Sequence, residues 1–281
     1  MGNSSLNSLQ KVSSLDFSNE SFNSTISSIM LDSHKNNQIL VEGPEDIEIM
    51  GQFFADRARM ISAGSKSNVE KVISRVFRRK TNIIGICDRD YGAVGSIPHV
   101  FYYDGNNLEM MVIKDDNVFN NPIFINSGFR KDVLISAKEM ALNKLLPVSV
   151  LRIERENKEY KFSLEDVCPS DDLLLLQDND TNIYSIKYNL INKSLGYSSA
   201  EMSCFVSDYS SRLSNGPIDC YEVTQGHDFI RIFRKVLTNI GEKRLYKFLS
   251  SSFTKEFFKQ TELFKKIRQY EVTETLSLIC F

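Results

Sequence analysis

Histidine is scarce in this 281-residue sequence, with only His34, His99 and His227. That excludes a histidine-rich metal site and the HExxH protease motif, so any metal chemistry must run through oxygen ligands. Cysteine is no better arranged. Cys87, Cys168, Cys204, Cys220 and Cys280 are odd in number, far apart and without a CxxC pair, so neither a disulfide framework nor a zinc knuckle is indicated and a reducing cytoplasm is expected. Long apolar runs are missing too. The longest aliphatic stretch is Leu173–Leu176, so neither a membrane span nor a secretory signal is expected, and Leu6 stands where a myristoylation signal carries Ser or Thr. No excess of one charge exists: 34 Lys plus Arg face 36 Asp plus Glu, and a net charge of −2 supplies no whole-molecule field for nucleic acid or an anionic membrane. Any anionic partner must meet a local patch. A GxxxxGK[ST] phosphate loop is also lacking, since Gly64-Ser65-Lys66-Ser67 has neither its spacing nor its first glycine, so ATP hydrolysis by this chain is not expected.

What is present is an ordinary globular composition, 42% hydrophobic and 25% charged, on a chain long enough for one large or two modest domains. Residues 1–35 are rich in Ser and Asn and read as a loose arm with at most a short helix. From residue 36 to about 125 strand-like and helix-like patterns alternate. Gln38–Val41 reads as a buried strand ending in Glu42-Gly43-Pro44, and Glu45–Arg59 carries apolar residues at helical spacing. Met60–Ala63 reads as a second strand, and Val69, Val72, Ile73, Val76 and Phe77 as the inner stripe of a second helix. Thr81–Cys87 and His99–Tyr103 read as third and fourth strands, with a short helix at Leu108–Ile113. This alternation predicts an α/β fold with a mostly parallel sheet covered on both faces. Residues 126–281 read as a mostly helical region, with helices at Lys131–Leu146, Asp228–Ile240 and Lys243–Tyr270, an acid-flanked segment at Leu173–Asn182 and a possible strand at Asp219–Thr224.

In a parallel α/β sheet the carboxyl ends of the strands converge on one crevice. This sequence places acids there: Glu42 after the first strand with Asp46 a helical turn later, Asp88 and Asp90 after the third, and Glu109 opening the helix after the fourth. If strand geometry persists through Asp88-Arg89-Asp90, the two aspartates aim together. Crowded carboxylates repel, and the usual resolution is a hard divalent cation completed by water and a substrate phosphate. The plainer reading of each acid alone is a solvated turn or a helix cap. His227 and Asp228, at the start of a helix, read as a cap and are left outside the site.

The strings Val41-Glu42-Gly43-Pro44-Glu45-Asp46, Ala63-Gly64-Ser65-Lys66-Ser67-Asn68-Val69 and Ile86-Cys87-Asp88-Arg89-Asp90-Tyr91 resemble a TOPRIM domain, the Rossmann-like metal-binding fold of topoisomerases, primases and OLD-type nucleases. With Tyr103-Asp104-Gly105-Asn106-Asn107-Leu108-Glu109 and Gly226-His227-Asp228, the chain is similar to the TOPRIM effectors of PARIS anti-phage systems. The likeness covers residues 36–115 well and the remainder by scattered matches. It implies Mg²⁺-dependent phosphodiester cleavage, with Mn²⁺ as an alternative, and metal ligands drawn from Glu42, Asp46, Asp88, Asp90 and Glu109. Glu42 would ligate a metal or accept a proton, and Lys66 would meet the phosphate or stand as a solvated turn residue. The likeness further implies a separate ABC-type, AriA-like ATPase partner, a transfer RNA target and a homodimer of the released nuclease, with no membrane involved.

Lys71, Arg75, Arg78 and Arg79 recur at helical spacing and read as a basic stripe able to hold a nucleic-acid backbone. The segment from Lys243 to Arg268 interleaves basic residues with Tyr246, Phe248, Phe253, Phe257, Phe258 and Phe264. An amphipathic helix burying those rings is the preferred reading over a stacking platform for unpaired bases. Two other functions compete with a ribonuclease: an OLD-like DNA nickase, and a catalytically inactive TOPRIM scaffold.

Overall fold

The computed structural model describes residues 20–91, 97–158, 203–204, 207–208, 211–212, 216–237 and 240–281. Its sheet has four strands, β1 (Asn37–Val41), β2 (Ala58–Ser62), β3 (Ile83–Cys87) and β4 (Val100–Tyr102), in the order β2-β1-β3-β4 and all parallel. The α/β class expected from the alternating pattern is the class observed. The chain divides into two compact units. The first comprises Met1–Arg89, Val94–Asp104 and Phe253–Phe281; the second comprises Asp90–Ala93 and Gly105–Ser252. The boundary expected near residue 125 therefore moves, because the last 29 residues, Phe253–Phe281, pack with the sheet rather than with the helical region.

In the first unit, α1 (Glu20–Asp32) precedes β1 and buries Ile26 and Ile29 against Leu40, Ile83 and Cys87 of the sheet and Val69, Val72, Ile73 and Phe77. The Ser- and Asn-rich segment thus carries a helix of 13 residues that belongs to the core; residues 1–19 lie outside the described residues. Side chains alternate across a strand, so Ile39, Val41, Ile84 and Ile86, all fully buried, line the opposite face. A strand buried on both faces reads as a continuous apolar run, as Ile39-Leu40-Val41 does.

Helix α2 (Pro44–Met50) starts with Pro44, whose missing N–H is not needed at a first turn, and with Glu45 and Asp46 at the positive end of the helix. It does not reach Arg59. One 3₁₀ turn, Gly51–Phe53, ends it and Phe54 is extended, because Ala58–Ser62 pairs residue for residue with Asn37–Val41. Helix α3 (Lys66–Lys71) runs on into a π-turn, Val72–Val76, closed by Phe77 N–H donating to Val72 O at 3.0 Å. The extra residue rotates Val76 off the inner stripe, leaving it 39% exposed while Val69, Val72, Ile73 and Phe77 stay buried.

The single helix expected over Lys243–Tyr270 is three: α9 (Glu242–Ser252) in the second unit, and α10 (Lys255–Gln260) and α11 (Glu262–Glu274) in the first. Thr254 and Thr261 break the run by accepting the N–H groups of Phe257 and Phe264 through their side chains. Phe253 and Phe258 are buried against Phe53, at ring-centroid distances of 5.1 and 4.7 Å, which is the packing reading of these aromatics. Asp104, just past β4, accepts the N–H groups of Glu262 and Leu263 at 2.6 and 2.9 Å and so caps α11 from a distant part of the chain. The Tyr270 hydroxyl then donates to Thr81 O at 2.8 Å.

Among the described residues the second unit is helical: α4 (Leu108–Ile113), α5 (Pro122–Asn126), α6 (Lys131–Lys158), α7 (Cys220–Val223) and α8 (Gly226–Val236), with α9. The expected helix from Lys131 extends twelve residues beyond Leu146, to Lys158. The strand expected at Asp219–Thr224 is instead helix α7, started by the Asp219 side chain accepting from Tyr221 N–H. Phe119, Phe124, Phe229, Phe233 and Phe248 form a ring-on-ring core here. The segment Leu173–Asn182 lies outside the described residues. Among the described residues, no helix is long and apolar enough to cross a membrane.

Candidate functional site

With strand order β2-β1-β3-β4 the chain leaves β1 to one side for β2 and returns to its other side for β3. An open parallel sheet forms its ligand crevice at that reversal, beyond the carboxyl ends of the two central strands. Glu42 is the first residue after β1 and Asp88 the first after β3. The Glu42 carboxylate spans the reversal: Oε1 accepts Asp88 N–H at 2.8 Å and Oε2 accepts the N–H of Lys66, the first residue of α3, at 3.0 Å. Each oxygen is gripped by one backbone donor, so the carboxylate has one orientation and links the ends of β1 and β3 to the start of α3.

Asp46 braces this arrangement from below. It is 8% exposed; Oδ2 accepts Gly43 N–H at 2.7 Å and Oδ1 accepts the Tyr103 hydroxyl at 2.6 Å. The first bond is the return half of a capping box and fixes the residue after Glu42. Burial, and then the negative charges of Asp46 and Asp88, push the Tyr103 phenol well above its ordinary range, so it remains a proton donor. Burial, followed by Glu42, Glu70 and Asp88, raises the Cys87 thiol in the same way. Burial is the larger cause of both shifts, and the carboxylates at these strand ends add to it.

Lys66 does more than cap a turn. Its Nζ donates to Arg89 O at 2.7 Å and lies 5.4 Å from the centre of the Tyr102 ring, which ties the loop after β3 to the start of α3. The Tyr102 hydroxyl donates to Glu70 Oε1 at 2.9 Å, and burial together with that carboxylate raises its pKa.

The expected joint aim of Asp88 and Asp90 is not what the backbone gives. Strand β3 ends at Cys87 and Asp90 has a φ of 54°, a left-handed conformation that breaks the alternation of side chains, although Asp tolerates it better than most residues. Asp90 falls in the second unit, where its N–H donates to Asn106 O at 3.2 Å. Glu109 also belongs to the second unit, and its Oε1 accepts the Tyr246 hydroxyl at 3.1 Å. His227 and Asp228 do not cap α8, whose capping position is Gln225; Asp228 instead forms a buried ion pair with Arg152.

Lys71, Arg75, Arg78 and Arg79 are all exposed. They do not form one helical stripe, because the π-turn alters the spacing after Lys71 and Arg78 and Arg79 follow the end of the helix at Val76. They form a basic surface running from α3 into the turn before β3. Sequence reasoning missed Tyr103 and Tyr246. Tyr103 was legible in principle as the first residue past the carboxyl end of β4; Tyr246 has no local signal, since only tertiary packing brings it to Glu109.

The donor set available for a metal is oxygen only. Mg²⁺ commonly takes one or two protein carboxylates and completes its octahedron with water and substrate phosphate, a demand that Glu42 and Asp88 meet in kind. Among the described residues, no three His, Cys, Asp or Glu side chains stand together as a ready-made ligand cage. No protein-family model and no curated protein matches this chain.

Proposed function

We propose that this chain is a metal-dependent TOPRIM-type nuclease acting as the toxic effector of an anti-phage defence system, resembling AriB of PARIS. The observation that carries the reading is the Glu42 carboxylate, held across the strand-order reversal by the N–H groups of Lys66 and Asp88. A scaffold has no need to fix an acid there, and a helix cap would use one of these donors rather than both. Glu42 and Asp88 would hold Mg²⁺ or Mn²⁺. When bound, the metal polarises the scissile phosphate and stabilises charge developing on its oxygens. Asp46 and Tyr103 hold the Glu42 segment in place, and Lys66 secures the loop behind Asp88. The exposed Lys71, Arg75, Arg78 and Arg79 would meet backbone phosphates. The substrate in this reading is host transfer RNA, cut after release from an AriA-like ATPase partner by a homodimer of the nuclease in the cytoplasm.

The test is Glu42→Ala, followed by growth arrest on expression and by cleavage of labelled RNA and DNA with Mg²⁺ present. Loss of both toxicity and RNA cleavage is the expected result. Undiminished toxicity overturns the catalytic assignment, and DNA cleavage without RNA cleavage turns the reading towards an OLD-like nickase.

A further inference from the structure

Lys66 and Glu70 stand one helical turn apart on α3, and Tyr102, at the carboxyl end of β4, engages both. Lys66 Nζ lies 5.4 Å from the centre of the Tyr102 ring, and the Tyr102 hydroxyl donates to Glu70 Oε1 at 2.9 Å. All three side chains belong to the first unit and are half-buried. Tyr102 pairs in register with Cys87, the last residue of β3, so the ring stands beside the strand that delivers Asp88. It also packs against the core that contains Leu40, Val69 and Cys87.

Lys66 is where this turn of helix meets the site. Its backbone N–H donates to Glu42 Oε2 and its Nζ to Arg89 O, so one residue holds both the carboxylate after β1 and the backbone just past Asp88. If the start of α3 moves, the Glu42 carboxylate moves with it. Helix α3 has six residues before its π-turn, too few to be rigid through its own hydrogen bonds, so its first turn takes its position from tertiary contacts. Tyr102 supplies two of them, one at each end of that turn. A phenol that donates to a carboxylate has a ring richer in electrons, which strengthens its attraction for the ammonium beside it. Burial, and then Glu70, keeps the Tyr102 phenol protonated through the neutral range.

We propose that Tyr102 and Glu70 are positioning residues for divalent-cation binding by Glu42 and Asp88, acting through Lys66; this rests on the metal-dependent reading above. Neither residue is a ligand. Together they fix the first turn of α3 against the end of β4, and through Lys66 they set the orientation in which Glu42 faces Asp88. Outer partners of this kind commonly carry roughly 10–100-fold of metal affinity. Mg²⁺ is the cation most sensitive to a misplaced carboxylate, because it demands near-ideal octahedral geometry.

The experiment titrates Mg²⁺ alone into the full chain by calorimetry, with circular dichroism to establish folding. The parent is compared with Glu42→Ala, Tyr102→Phe, Tyr102→Leu, Glu70→Gln and Tyr270→Phe. Tyr102→Phe keeps the ring and loses the bond to Glu70, Glu70→Gln keeps an acceptor and loses the charge, and Tyr102→Leu loses both contacts. Tyr102→Phe and Glu70→Gln are expected to bind Mg²⁺ roughly 10-fold more weakly and Tyr102→Leu up to roughly 100-fold, while Glu42→Ala abolishes binding. Tyr270→Phe removes another phenol hydroxyl of the first unit, the one bonded to Thr81 O, and should bind as the parent does. An equal loss of affinity in Tyr270→Phe marks general loosening of the unit and overturns the proposal. Amide ¹H–¹⁵N spectra recorded without metal add a second readout: the Lys66 N–H signal, moved downfield by its bond to Glu42, should shift back in Tyr102→Leu and Glu70→Gln and stay in place in Tyr270→Phe. Folded Tyr102 and Glu70 variants that bind Mg²⁺ within twofold of the parent, with Glu42→Ala inert, overturn the positioning role and leave the Glu42 site standing. A Glu42→Ala protein that binds as the parent does, or a parent that binds no Mg²⁺, overturns the metal site itself and the role of Tyr102 with it.

Discussion

Gly85 sits in the middle of β3, paired with Leu40 on one side and Val100 on the other, under the helix that begins at Lys66. A Cβ built there would lie 2.5 Å from Val69 Cγ1 and 3.4 Å from Ile73 Cγ1 and Val100 Cγ2, and Val69 and Ile73 are fully buried. A contact of 2.5 Å between methyl carbons is far inside van der Waals range, so Gly85→Ala must push α3 away from β3 or force Val69 off its rotamer. Overpacking of this kind costs roughly 1–3 kcal/mol. Replacing glycine inside a strand returns about 0.5–1 kcal/mol by restricting the unfolded chain. The net expectation is a loss of about 1–2 kcal/mol. Val69→Ala alone removes two buried methyl groups and costs about 2 kcal/mol. In the double variant the new methyl occupies the space just vacated, so the total should stay near about 2 kcal/mol rather than the ~3.5 kcal/mol of simple addition, a favourable coupling of about 1.5 kcal/mol. Urea denaturation followed by circular dichroism measures all four corners of this cycle. A Gly85→Ala protein as stable as the parent, or a cycle additive within about 0.5 kcal/mol, refutes the packing of α3 on β3 described above.

Tyr103→Phe should cost about 1–3 kcal/mol at neutral pH, because Asp46 Oδ1 loses its buried donor, and should lower nuclease activity by loosening the segment after Glu42; denaturation and cleavage assays read the two effects. The stability of the parent should also fall in alkali. The folded state holds the phenolic protons of Tyr102, Tyr103 and Tyr270 more tightly than the unfolded chain does, so their contribution is complete below the free phenol value of about 10 and drains away as pH rises above it. A denaturation midpoint that rises between pH 9 and 11, on the order of that free value, would contradict this sign. Asp104→Ala removes the acceptor for two N–H groups at the start of α11 and should cost about 1 kcal/mol, with Asp104→Asn recovering part of it in the same thermal melts.

Some of this protein was written locally in its sequence. The runs Ile39-Leu40-Val41 and Ile83–Cys87 are continuous and apolar because both sheet faces are covered, and a strand of that kind is recognisable without any knowledge of its partners. Glu42 and Asp88 were likewise legible, since a residue that ends a parallel strand is placed at the crevice by chain direction alone. Helix ends were less so. Glu45–Arg59 has helical spacing throughout, yet the demand of β1 for a neighbour takes Ala58 and Arg59 into a strand. The run from Lys243 to Tyr270 is amphipathic throughout, yet Thr254 and Thr261 divide it by offering their side chains to backbone donors.

What only the tertiary structure decided is the partner of each polar group. No spacing rule joins Tyr103 to Asp46 across 57 positions, or Tyr246 to Glu109 across 137. Nor does one tell that Phe253–Phe281 belongs with the sheet rather than with the helices that precede it. Periodicity follows from the geometry of one segment, so sequence reveals strands, helices and the direction in which the chain leaves them. A hydrogen bond between distant residues depends on how separate segments pack. Glu42 could therefore be read as an acid at a strand end, while its grip by Lys66 and Asp88, and the bond from Tyr246 to Glu109, came from the fold.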